Sequence, residues 1–127
     1  MAWPSATGSA LDLWTAFREG AFNKTVKPWL GYMFLLEDCP QSRKPVANKE
    51  PHFKVFPEFV GASYAKRYEL FCRKLVRERH YSAAAFMTAT KAGGLKGEHE
   101  EPADDLRFEL FARSLAAQCA AYGKGAL

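Results

Sequence analysis

Apolar residues early in the chain recur at helical spacing and then close up into an unbroken run. Ala10, Leu13, Trp14, Phe17 and Ala21 give one apolar face, and Ser9 with Asp12 three residues on has the form of a capping box. This predicts a helix from Ser9, after an irregular lead-in over Met1 to Gly8, with Gly20 and Asn23 as stop signals. Trp29 to Leu36 is apolar at almost every position, as in a strand covered on both faces. Cys39 to Gly61 reads as a long irregular connection, because Pro40, Pro45, Pro51 and Pro57 exclude a regular helix. It carries Arg43, Lys44, Lys49, His52 and Lys54. A loop this long is more often functional than idle.

The clearest helix spans Ser63 to Arg79, with Tyr64, Tyr68, Phe71, Cys72, Leu75 and Val76 on one stripe. Tyr81 to Thr90 reads as a second strand, and Ala92 to Gly97, with three glycines, as a turn. Pro102 is expected to open a last helix with Asp104 and Asp105 in its favourable first turn. Phe108, Phe111, Ala112, Leu115, Cys119 and Tyr122 would line one face of it, and Gly123 would end it. The order is helix, strand, long loop, helix, strand, helix: an α/β chain of one domain, residues 1–127. Only two strands are legible, and an all-apolar strand does not live in a two-stranded sheet. Either a partner chain supplies the missing strands, or a first half of the protein is absent.

Charge sharpens this picture. The net charge of +4 is small, but residues 41–97 sum to +8 and residues 98–113 to −4. A basic centre suits phosphate, although basic faces also occur where none is bound. Cys39, Cys72 and Cys119 are too widely spaced for a zinc knuckle and read as reduced, partly buried thiols of a cytosolic protein. No apolar run reaches the roughly 18 residues of a membrane span, and no signal peptide is expected. Glu37 and Asp38 are the best paired carboxylates, but adjacent strand residues point to opposite faces and converge poorly on a metal. His52, His80 and His99 are too scattered for a metal or base assignment, and Glu98, Glu100 and Glu101 read as a solvated turn. No catalytic residue and no metal ligand is therefore expected in this chain.

Four segments carry a resemblance: GSALDLWTAFREGAF, PWLGYMFLLED, EPHFKVFPEFVGASYAKRYELFCRKLVRERHY and EEPADDLRFELFARSLAA. In order and spacing, from about Gly8 to Tyr122, they resemble the C-terminal half of the XhoI family of type II restriction endonucleases. The resemblance implies a PD-(D/E)xK core, a mixed sheet with flanking helices. Its metal-binding Asp and Glu-x-Lys sit on the second and third strands. The Ser9 helix and the strand at Trp29 to Leu36 resemble the helix and fourth strand that follow. No Asp with Glu-x-Lys precedes the Ser9 helix here, so the catalytic strands are expected to be absent and the chain inactive alone. The implied reaction of the intact enzyme is magnesium-dependent hydrolysis of duplex DNA at CTCGAG, by a cytoplasmic homodimer matched to the palindrome.

For DNA contact, the candidates are Arg43, Lys44, Lys66, Arg73 and Arg77. Lys66, Arg73 and Arg77 fall within roughly 40° of one another on the predicted helix and could track a phosphate backbone. Arg43 and Lys44 stand on the proline-bounded loop at the strand's end, where an arginine could reach guanine. The competing expectation is a non-catalytic α/β module with a basic surface that dimerises through an exposed strand edge.

Overall fold

The computed structural model describes residues 3–20, 27–45 and 61–125. Its elements are α1 (Trp3–Arg18), β1 (Gly31–Glu37), α2 (Pro40–Arg43), α3 (Tyr64–Arg77), β2 (Ala83–Ala89), α4 (Lys91–Gly94), a 3-10 turn (Asp104–Leu106) and α5 (Phe108–Gly125). The two strands pair in parallel, Gly31 opposite Ala83 through Glu37 opposite Ala89. Parallel strands need a crossover, and α3 supplies it. The α/β class and the order of the main elements follow the sequence pattern.

The core lies between α3 and one face of the sheet. Ser63 caps α3 by accepting a bond from the Lys66 amide at 3.1 Å. The predicted stripe then splits: Phe71, Cys72 and Leu75 are fully buried, while Tyr64 at its start is exposed. Tyr32, Phe34 and Leu36 of β1 and Ala84 and Phe86 of β2 meet that stripe. Tyr68 stacks on Phe34 with ring centroids 4.1 Å apart.

The first helix begins six residues before its predicted start, so the lead-in from Trp3 to Gly8 is helical and Ser9 lies inside. Ala6, Ala10 and Trp14, spaced by four, are all buried, and that burial extends the helix backward. Two long-range bonds fix it: Trp14 Nε1 donates to the His80 carbonyl at 2.7 Å, and Tyr81 Oη to the Ala6 carbonyl at 3.0 Å. Gly20, at φ 79°, ends the first helix as expected, because glycine enters the left-handed region without a Cβ penalty. Asn23 and Ala21 lie outside the described residues, as do Lys49, His52 and Lys54.

Two further expectations are corrected. The start of the long connection is not wholly irregular, since Pro40 opens the one-turn α2, where its missing N–H costs nothing. The last helix begins at Phe108 rather than Pro102, because Ala103 and Leu106 are drawn into the core and Arg107 stays extended. Glu101 Oε1 then accepts the Phe108 amide at 2.7 Å. Helix α5 seats Phe111 against the sheet, while Phe108, Leu115, Cys119 and Tyr122 of the predicted apolar face are exposed. It docks through Phe111 of that face, against Trp29, and through polar residues beside it, Ser114 accepting from Trp29 Nε1 at 2.9 Å and Gln118 donating to the Lys27 carbonyl at 3.1 Å.

The strand expected to be covered on both faces is covered on one. Tyr32, Phe34 and Leu36 are half-buried, whereas Met33 is 50% and Leu35 62% exposed. Among the described residues β1 pairs only with β2.

Candidate nucleic-acid interface

The five basic candidates occupy two places. Arg43 closes α2, and Lys44 follows it at the carboxyl end of β1. Lys66, Arg73 and Arg77 share the solvent side of α3, opposite the buried Phe71, Cys72 and Leu75. Their side chains do not stand alike.

Arg43 turns back onto the strand end. Its Nε and Nη2 each bond one oxygen of Asp38 at 2.6 Å. These bonds hold the Asp38 carboxyl below its usual range and raise the guanidinium. A fork engaged in this way is not presented to a base edge. Lys44, next to it, is exposed.

On α3, Lys66 Nζ meets Glu69 Oε2 at 2.7 Å, and Arg73 Nη1 reaches the same oxygen at 3.2 Å. Arg73 also makes a bidentate pair with Asp105, Nε to Oδ2 at 2.6 Å and Nη2 to Oδ1 at 2.8 Å. The Asp105 carboxyl is held low, chiefly by that pair, with Arg77 adding to it. Arg77 is itself exposed and makes no ion pair among the described residues. So Lys44 and Arg77 present their charge outward, while Arg43, Lys66 and Arg73 share theirs with carboxylates.

The sequence reading missed the role of Asp105, which it placed in a helix start. The partners are 32 residues apart, and only the opposite signs of the basic centre and the acidic segment hinted at the pair. Lys91, which opens α4, and Lys96, on the turn behind it, are also exposed and were not among the candidates. Because the strands are parallel, α4 and its turn lie at the same end of the sheet as Lys44.

Carboxylates do not converge. Among the described residues no three His, Cys, Asp or Glu side chains are placed to hold a metal ion, and Asp38 is committed to Arg43. The described residues therefore do not fit the magnesium site that the resemblance implies for an intact enzyme. No Glu-x-Lys tripeptide occurs anywhere in the sequence. Of the thiols, Cys72 is buried in the core and pushed up to about 12 by that burial, so it is a packing group rather than a nucleophile. Cys39 is half-buried, and Cys119, which the sequence reading placed toward the core, is exposed. No helix among the described residues is long and apolar enough to cross a membrane.

Comparison with known proteins gives this arrangement a family. Residues 4–101 match the family model described as restriction endonuclease XhoI. The chain is 61% identical to the type II restriction enzyme BstVI of Geobacillus stearothermophilus over 108 residues, 85% of this chain and 48% of that enzyme. It is 51% identical to the type II restriction enzyme XhoI of Xanthomonas vasicola over 71 residues, 56% of this chain and 29% of that enzyme. It is also 49% identical to the type II restriction enzyme AbrI of Azospirillum brasilense over 49 residues, 39% of this chain and 22% of that enzyme. The match thus spans about half the length of BstVI and less than a third of the other two. No solved structure matches it. With three quarters of its length inside the family model, the chain belongs to the XhoI restriction endonuclease family.

Proposed function

We propose that these 127 residues are the carboxyl-terminal half of a type II restriction endonuclease that cuts duplex DNA at a CTCGAG-type palindrome, and that alone they bind DNA without cutting it. The observation that carries this reading is the 61% identity to BstVI over 85% of the chain. Strands bearing the catalytic Asp and Glu-x-Lys would lie against the open edge of β1, and residues packed with them would cover Met33 and Leu35. Magnesium would be held there, by carboxylates outside the described residues. A palindromic target calls for two-fold symmetry, so the working enzyme is a homodimer.

In this reading Lys44 and Arg77 meet backbone phosphates directly. Lys66 and Arg73 strengthen the same surface at reduced charge, and Arg43 reaches a base only by exchanging Asp38 for it. The edge of β1 that has no partner among the described residues also favours a second reading, in which the chain is a non-catalytic module that dimerises by strand pairing. The two separate by titration of the chain with a CTCGAG duplex and a scrambled duplex over a range of salt. The endonuclease reading predicts binding of both. Changing Lys44 and Arg77 together to Gln should flatten the slope of log affinity against log salt by roughly two units, at about 0.9 per phosphate. A folded chain that binds neither duplex would leave the module reading standing.

A further inference from the structure

A cavity of about 300 Å³ opens between α3, the start of β2 and α5. Arg73 and Arg77 of α3, the half-exposed Asp105, and the hydroxyl-bearing Ser82 and Ser114 are among the residues that line it. Both hydroxyls already accept a bond: Ser82 Oγ from the Leu30 amide at 3.2 Å, and Ser114 Oγ from Trp29 Nε1 at 2.9 Å. A hydroxyl that accepts in this way keeps its own O–H to donate. The cavity is therefore lined by two arginines, two hydroxyl donors and one carboxylate, beside apolar Val76, Leu110 and Phe111.

That carboxylate is the exchangeable partner. The Arg73 side chain is 20% exposed and tied by Glu69 on its own helix, whereas the Asp105 side chain is 53% exposed on a three-residue turn. The fork-to-fork geometry of Arg73 on Asp105 is the one an arginine also makes with two phosphate oxygens. We propose that this cavity is a phosphate-binding site, that Asp105 fills its anion position when no DNA is bound, and that a backbone phosphate of the duplex displaces Asp105 from Arg73. The DNA part rests on the endonuclease reading; the site itself does not. Arg73 and Arg77 then act together, the first fixed and the second swinging in from solvent. Asp105 is a built-in competitor that weakens contact with weakly held polyanions.

The test compares the parent chain with Asp105→Asn and Asp104→Asn, which remove the same charge from neighbouring positions. Of these two acids only Asp105 pairs with Arg73, so only Asp105→Asn should gain affinity for duplex of any sequence, several-fold. Its salt slope should steepen by about one unit, the contribution of about one further phosphate. Adding Arg77→Gln, an exposed change, to Asp105→Asn should remove most of that gain. Inorganic phosphate should raise the melting temperature of Asp105→Asn more than that of the parent chain or of the double variant. Equal gains for Asp104→Asn and Asp105→Asn would overturn the proposal, since net charge alone would then explain them. So would a folded Asp105→Asn that neither phosphate nor duplex distinguishes from the parent, leaving Asp105 a fastener only. Stabilisation of Asp105→Asn by phosphate without any duplex binding would support the site and count against the endonuclease reading instead.

Discussion

Arg43 and Lys44 are neighbours, yet one is locked to Asp38 and the other exposed. On α3, Arg73 is held by two acids while Arg77, four residues later, is exposed. Helical spacing put these side chains on one face correctly, because the angle per residue depends on the backbone alone. The same spacing sets Glu69 within reach of Lys66 and Arg73, but it gives no sign of the second acid on Arg73, because Asp105 comes from a turn 32 residues away. The pairing has a consequence in acid. The Asp105 carboxyl is depressed in the folded chain, so its contribution is present above the ordinary carboxylate value near 3.9 and is lost as pH falls through the lower folded value. With its side chain half exposed, screening limits that contribution to about 0.5–1 kcal/mol. Melting temperature followed from pH 6 to pH 3 should therefore fall by a few degrees more in the parent chain than in Asp105→Asn. Parallel curves would mean that the pair contributes nothing in solution.

The elements themselves were legible wherever local pattern and tertiary burial agree. Helix α3 and both strands fall within two residues of their predicted limits, since capping at Ser63 and apolar runs mark them locally. Helix α1 was read short and α5 long at their starts, because in both the core overrode the local signal: Ala6 is buried upstream of Ser9, and Leu106 interrupts the helix after Pro102. The docking of α5 was legible only at Phe111, since the other contacts come from Ser114 and Gln118 rather than from Leu115, Cys119 and Tyr122. That docking depends on one glycine. A Cβ on Gly31 would collide with the Trp29 ring, with Cζ3 at 2.6 Å, and with Phe111 Cε2 at 2.7 Å. Gly31→Ala should cost about 1–3 kcal/mol through overpacking at the seat of α5. Gly8, inside α1 with nothing within 4 Å of its Cβ position, should instead gain about 0.5–1 kcal/mol on change to Ala. Chemical denaturation of the two variants checks this; a loss at Gly8 together with no loss at Gly31 would contradict the placement of both elements.

At the scale of the whole molecule, the apolar run that reads as a strand sealed on both faces is half open, with Met33 and Leu35 facing solvent and a single partner strand described. The apolar run implies a burial that the described residues do not provide. That mismatch is what a strand of the nuclease core would leave when the strands beside it belong to another part of the enzyme. The central claim, that this chain is the DNA-contacting half and that the catalytic residues stand elsewhere, can be put to one measurement. Purified chain is incubated with magnesium and a CTCGAG duplex, alone and together with the part of BstVI that the chain does not match. The account predicts an intact duplex with the chain alone and cleavage at CTCGAG once the complementary part is added. Specific cleavage by the chain alone, surviving repurification, would contradict it and return Glu37 and Asp38 to the centre of the chemistry.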